Sequence, residues 1–180
     1  ASEMALHFEN GRDGEKSARY LLISADNAAR KYAHRDAVAT LRHALDLLSA
    51  VTTDSARALE LDVLEKMSDA HYALGEMEES AEVDGHAATL ASGRRWKAQQ
   101  VSALTRAARA LSFLDPDDCV TVCESAAEVS ADIDDPLLAA RTALLAACWR
   151  VVNNGWTRRD ADICAASRKK ILELQGANLP

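Results

Sequence analysis

The stretch Asp36-Ala37-Val38-Ala39-Thr40-Leu41-Arg42-His43-Ala44-Leu45-Asp46-Leu47-Leu48 decides the fold. Val38, Leu41, Leu45 and Leu48 recur at steps of three and four, the spacing of one face of an α-helix, and Ala37 and Ala44 lie beside that stripe. A helix is predicted over Asp36–Ala50. No stretch of the chain keeps the period-two alternation of a strand bounded by turn residues, so no strand is predicted.

Working outward, punctuation divides the rest of the chain into similar segments. Before the deciding stretch lie helices over Ser2–Asn10 and Glu15–Ala33. They are separated by Gly11-Arg12-Asp13-Gly14, whose glycines suit the left-handed conformations that close a helix. After it, Thr52-Thr53-Asp54-Ser55 offers short oxygen-bearing side chains to the free N–H groups of a fourth helix running to Leu74, where Gly75 stops it. A fifth helix, Glu76–Ala91, opens with Glu76, Glu78 and Glu79 where the helix dipole favours negative charge, and Gly93 ends it. The sixth covers Arg95–Leu114. Asp115-Pro116 and Asp135-Pro136 each have the form of an N-cap followed by proline at the first helical position, opening helices over Pro116–Ala131 and Pro136–Asn153. Gly155 breaks the chain again before a last helix over Arg158–Leu174.

The composition agrees. Of 180 residues, 48% are hydrophobic but only 4% aromatic, so alanine and leucine dominate the apolar fraction, as helix formers do. The formal net charge of −7 argues against direct nucleic-acid binding, which needs a basic face. No apolar run approaches the roughly 18 residues that would cross a bilayer, and no signal-peptide pattern opens the chain, so a soluble cytoplasmic protein is expected. Cys119, Cys123, Cys148 and Cys164 do not form the dense framework of a small secreted protein and are expected to be free, buried thiols. The chain opens at Ala1 without an initiator methionine and enters helical pattern at once, which points to a fragment of a longer multidomain protein.

Short connections force consecutive helices to lie antiparallel as hairpins, and hairpins in series make an α-solenoid. The small residue opening each second helix falls at Ala37, Ala81, Val120 and Ala161, a loose period with steps of about 44, 39 and 41 residues. Length alone does not choose between the tetratricopeptide repeat of about 34 residues and two-helix repeats of about 40 to 47. Ala18, Leu22 and Ala25, and again Ala37, Leu41 and Ala44, have a small, large, small spacing that resembles the tetratricopeptide repeat. His71-Tyr-Ala-Leu-Gly-Glu-Met-Glu-Glu-Ser-Ala81 resembles the turn within such a repeat. The stretch Leu6-His-Phe-Glu-Asn-Gly-Arg-Asp-Gly-Glu-Lys-Ser-Ala-Arg-Tyr-Leu-Leu22, continuing to Ala37, is similar to the helical region after the ATPase module of large bacterial signalling proteins. Among these are LuxR-type or winged-helix transcriptional regulators and ATPase-linked nucleotide cyclases. The likeness is strongest over residues 4 to 48. Asp115-Pro116 and Asp135-Pro136 depart from the tetratricopeptide habit of proline after the second helix. The resemblance implies an all-α, right-handed superhelical stack of about nine helices forming one domain over 1–180, with nucleotide- and DNA-binding parts outside it.

No phosphate-binding loop, dinucleotide fingerprint, H-E-x-x-H or nucleophile elbow occurs, and no catalytic residue, cofactor or metal is assigned. Cys119 and Cys123, four apart, lack the second short-spaced pair of a structural zinc site. His7, His34, His43, His71 and His86 fall in no catalytic order, and the clusters Asp115, Asp117, Asp118 and Asp132, Asp134, Asp135 sit where capping explains them. The most site-like stretch is Cys148-Trp-Arg-Val-Val-Asn-Asn-Gly-Trp-Thr-Arg-Arg159, rich in hot-spot residue types. The favoured reading is that Trp149 and Trp156 both pack between hairpins and that Arg158 and Arg159 belong to a solvated helix start. A similar polar run, including Gln99 and Thr105, lies on the sixth helix. If the first helix of each hairpin lines a concave face, Trp96, Gln100, Arg106, Arg109, Arg141, Trp149, Arg150 and Asn153 are the candidate binding residues. Their natural partner is an acidic protein or peptide segment. A second copy of the chain stays open as a partner, and no membrane is implied. The function expected is a non-catalytic interaction and regulatory module of a transcriptional regulator or signalling ATPase. A free-standing adaptor and a small all-α enzyme are the alternatives.

Overall fold

The computed structural model describes residues 1–11 and 13–176; Arg12 of the first predicted turn lies outside them. Among the described residues the chain is all-helical. Its nine helices are α1 (Ser2–Asn10), α2 (Gly14–Ala29), α3 (His34–Ser49), α4 (Asp54–Leu74), α5 (Met77–Gly93), α6 (Lys97–Leu111), α7 (Pro116–Ala131), α8 (Pro136–Asn154) and α9 (Arg158–Gly176). The chain divides into two compact units, Ala1–Ala87 and Ala88–Pro180, with the division inside α5. The sequence offers no break there, since α5 carries no proline or cap at that point.

Where a capping side chain is present the helix start follows it, whereas α1, α3 and α6 start without one. Asp13 accepts a hydrogen bond from the Lys16 backbone N–H at 3.1 Å and Thr53 from that of Ala56 at 3.1 Å. Asp115 and Asp135 each accept two backbone N–H groups across the following proline, Asp117 and Asp118 in one case, Leu137 and Leu138 in the other. These starts match the predicted ones.

Helix ends depart from the predictions in an informative way. Gly11 has φ −78° and Gly14 lies inside α2, so neither takes the left-handed conformation expected of it. Gly14 gives room instead, because a Cβ there would stand a tight 3.2 Å from the Leu47 carbonyl oxygen of α3. The left-handed closures fall instead at Gly75 (φ 80°), as expected, and at Tyr32 (φ 61°) and Arg95 (φ 59°), which are not glycine. All three use one device. The residue after the left-handed one donates its N–H to a carbonyl five positions back: Glu76 to His71, Ala33 to Ala28, Trp96 to Ala91. This device ends α2 four residues before the predicted Ala33 and delays α6 past the predicted Arg95.

In the first unit α1 packs on α2, α2 on α3, and α3 on α4, with α2 also reaching α4. Ala37, Leu41, Ala44 and Leu48 of the deciding stretch are buried, as are Ala18, Leu21 and Ala25 of α2 and Leu59, Val63 and Leu64 of α4, the two helices on which α3 packs. Leu21 fills the position predicted for Leu22, which is half-buried. Ser17 donates to the Ala5 carbonyl at 2.9 Å, tying α2 to α1. Ser68 of α4 donates to Asp84 of α5 at 2.6 Å and lies 3.0 Å from the Ser80 hydroxyl, all three side chains being fully buried.

In the second unit α6 packs on α7, α7 on α8 and α8 on α9. Ala108, Cys119, Cys123 and Ala146 form a buried cluster, and Ser130 and Thr142 join α7 to α8 through their hydroxyls at 2.6 Å. Of the residues marking the loose repeat, Ala37 and Val120 are buried and Ala161 is exposed, so equal spacing does not give equal burial.

A left-handed conformation costs a residue with a Cβ roughly 1–2 kcal/mol, a cost glycine escapes. Tyr32→Gly is therefore expected to stabilise the chain by about 1 kcal/mol, since Tyr32 is 87% exposed and gives up little packing. Gly75→Ala should destabilise by about 1 kcal/mol. Urea unfolding of the two variants checks both signs.

Candidate binding surface

Trp96 immediately precedes α6 and is half-buried; Gln100, one turn on, is half-buried as well. Arg106 donates from Nη1 to the Ser102 hydroxyl at 2.9 Å, along its own helix. Arg109 near the end of α6 and Arg141 in α8 are exposed. Trp149 packs against the buried cluster of Ala108, Cys119, Cys123 and Ala146, which makes its role packing. Trp156, read in the sequence as a second packing residue, is 72% exposed instead. It follows Gly155, whose positive φ of 82° turns the chain out of α8.

Arg150 is the residue whose surroundings differ most from the sequence reading. Its Nε donates to Asp160 Oδ1 at 2.8 Å and its Nη1 to Glu124 Oε1 at 2.8 Å, so one guanidinium joins α8 to α9 and to α7. Asp160 is buried and also accepts a hydrogen bond from the Thr157 hydroxyl, whose oxygen in turn accepts the Asp160 backbone N–H at 3.1 Å. Hydrogen bonds from Thr157 and Arg150 hold the Asp160 carboxyl below the usual carboxylate range. Burial works against the Arg150 charge, but the bonds to Asp160 and Glu124 outweigh it and raise its proton affinity. Asn153 is likewise engaged internally, donating to Asp117 Oδ1 at 2.6 Å. Chemistry suited to an acidic partner is thus used inside the unit at these two positions.

Beside this network α7, α8 and α9 border a cleft of about 300 Å³. Ala127, Ala143 and Ala146 give it an apolar floor, and Glu124, Glu128, Arg150 and Arg159 supply charges of both signs. Arg150 is the one predicted candidate that lines it. Trp96 and the α6 residues Gln100, Arg106 and Arg109 do not, nor do Arg141, Trp149 and Asn153. The role of Asp160 had one readable signal, since Thr157-Arg158-Arg159-Asp160 has the spacing of a capping box with Asp in place of Glu. Glu124 had none, because its pairing crosses 26 residues of chain.

The four cysteines are free, but only Cys119 and Cys123 are buried; Cys148 is exposed and Cys164 half-buried, where the sequence reading had all four inside. Cys119 donates its S–H toward the Ala108 carbonyl at 3.3 Å. Burial pushes its thiol pKa up, and burial followed by the neighbouring Cys119 raises that of Cys123 to about 12. Among the described residues no three His, Cys, Asp or Glu side chains are grouped to hold a metal ion, and no helix is long and apolar enough to cross a membrane.

No protein-family model matches the chain, and no curated protein matches it in sequence. It is similar to the crystal structure of BtubC (BKLC) from P. vanneervenii, with a TM-score of 0.49 and 14% identity over 99% of this chain and 89% of that one.

Two predictions test this geometry. A carboxyl whose pKa is lowered on folding stabilises above its unfolded value near 3.8, and that contribution is lost as pH falls through the folded value. Asp160→Asn should therefore lower the urea midpoint at pH 7 and reduce the loss of stability as the pH falls below about 4. With a disulfide-exchange reagent at pH 8, Cys148 and Cys164 should label in the native chain, while Cys119 and Cys123 should react only after unfolding.

Proposed function

We propose that this chain is a non-catalytic interaction and regulatory module, built as a right-handed superhelical stack of antiparallel helix hairpins of the tetratricopeptide kind. The observation that carries the reading is the order of packing. Within each unit a helix packs on its neighbours in the chain, as in arrays where each repeat contacts only adjacent repeats. Such arrays display long faces for a partner instead of enclosing a reaction.

The shifted carboxylates support binding over catalysis. A catalytic reading needs ionisable groups converging in a deep pocket with pKa values moved for a chemical step. Here Asp13 is lowered by its bonds to Lys16, Glu15 by Arg19 and then Ser55, and Asp160 by Thr157 and then Arg150. These three sit at helix starts and serve capping and pairing; Asp62, within α4, is instead raised, by burial and then by Glu65.

The partner is an acidic protein or peptide segment, and its contacts are the exposed Arg109 and Arg141 with the half-buried Arg106 beside them. Arg150 and Asn153 act indirectly, by fixing α8 against α7 and α9. The likeness of residues 4 to 48 to the helical region of bacterial signalling ATPases and transcriptional regulators supports a cytoplasmic regulator as the parent, with binding transmitted through the stacking of helices.

The test is a pull-down with the chain as bait, repeated with Arg106→Glu combined with Arg141→Glu. Reversing two charges at an electrostatic contact should reduce partner recovery about tenfold and weaken its salt dependence. Unchanged recovery would overturn the assignment of these residues. Sedimentation of the purified chain identifies the case in which the partner is a second copy.

A further inference from the structure

The hairpin of α8 and α9 brings two thiols together. Cys148, near the end of α8, is exposed, and Cys164, early in α9, is half-buried. Both helices belong to the second unit, and they pack directly on each other. Their register is set by the bond from Arg150 Nε to Asp160 Oδ1 at 2.8 Å. Cys148 stands two residues before Arg150 and Cys164 one turn after Asp160, so each lies a short step away from the connecting turn at Gly155. Antiparallel packing then puts the two at a similar level, and their side chains meet in a hydrogen bond.

The other two cysteines show what sets this pair apart. Cys119 and Cys123 are also neighbours, one turn apart on α7, but both are fully buried and the Cys119 S–H is committed to the Ala108 carbonyl. Solvent reaches the pair on α8 and α9 instead. Burial, and next the Cys164 sulfur beside it, push the Cys148 thiol up. The thiolate is the reactive form, so the pair stays reduced until oxidant is plentiful.

We infer that Cys148 and Cys164 form a reversible disulfide when the chain meets a hydroperoxide, and that this bond staples α9 to α8. Cys148, the more accessible sulfur, attacks the outer peroxide oxygen as its thiolate. The O–O bond breaks, the sulfur becomes a sulfenic acid, and the second oxygen leaves with the proton that the thiol released. The Cys164 sulfur then attacks the sulfenic sulfur. The S–S bond forms, the S–O bond breaks, and the oxygen departs as water with the Cys164 proton. Two thiols lose two electrons in all, and the hydroperoxide is reduced to water and an alcohol, or to two waters from hydrogen peroxide. A dithiol reverses the change by exchange. The link closes the loop around Gly155 and so restricts the unfolded chain. It does not depend on which partner the arginines meet.

The full chain is treated with millimolar hydrogen peroxide, alkylated and weighed under denaturing conditions. Its mass should fall by about 2 Da, the two hydrogens lost, and dithiothreitol should restore it. An unreduced digest should yield the Cys148 and Cys164 peptides joined. Cys148→Ser and Cys164→Ser, conservative changes at an exposed and a half-buried position, should each abolish the mass decrease. The remaining thiol should then be trapped by dimedone as sulfenic acid. Melting is followed by indole fluorescence, since Trp149 adjoins Cys148. The midpoint of the oxidised chain should rise by about 5 °C and return on reduction. A link between two copies, a link that involves Cys119 or Cys123, oxidation to sulfinic acid with no link, or an unchanged midpoint in the linked chain overturns the proposal.

Discussion

Close approach of helix backbones across alanine contacts is the constraint on which this structure depends. Ala18, Ala37 and Ala44 in the first unit and Ala108, Ala126 and Ala147 in the second are buried to 1% exposure or less. With so little side-chain volume at the crossings, specificity passes to short polar links. Ser17 reaches the Ala5 carbonyl, Ser68 reaches Asp84, Ser130 meets Thr142, and Cys119 reaches the Ala108 carbonyl. Each link joins two helices at one register, and a helix rotated or slid from that register would bury an unpaired polar atom. Gly14 belongs to the same logic, since a Cβ there would crowd the Leu47 carbonyl at 3.2 Å.

Much of this was readable from the sequence, because helix starts are local events. Thr53, Asp115 and Asp135 bind N–H groups two or three residues away, so their spacing alone locates α4, α7 and α8. Helix ends were less legible where the left-handed residue carried a side chain. Tyr32 and Arg95 have no compositional mark of that conformation, and the carbonyls that accept the closing bonds look like ordinary helix interior.

The candidate surface was less legible still, for a physical reason. An arginine on a helix offers the same donors to a partner protein and to its own fold, and nothing near Arg150 in the sequence distinguishes the two. Its carboxylates come from α7 and α9, so the competition is decided by tertiary packing. Trp149 is a similar case: its large apolar surface suits a hot spot equally well, but the buried cluster of α6, α7 and α8 takes it. Arg109 and Arg141 are exposed, and Arg106 is half-buried.

The placement of the aromatic residues has a consequence for how the chain can be observed. Trp96, Trp149 and Trp156 all lie in the second unit, whereas Tyr20, Tyr32 and Tyr72 all lie in the first. Indole fluorescence therefore reports on one unit alone, with Trp149 as the packed chromophore and Trp156 as an exposed reference in the same spectrum. Helical circular dichroism sums over both. The difference between the two melting curves separates the unfolding of the halves, and coincident curves identify a single cooperative transition, with no label or inserted probe.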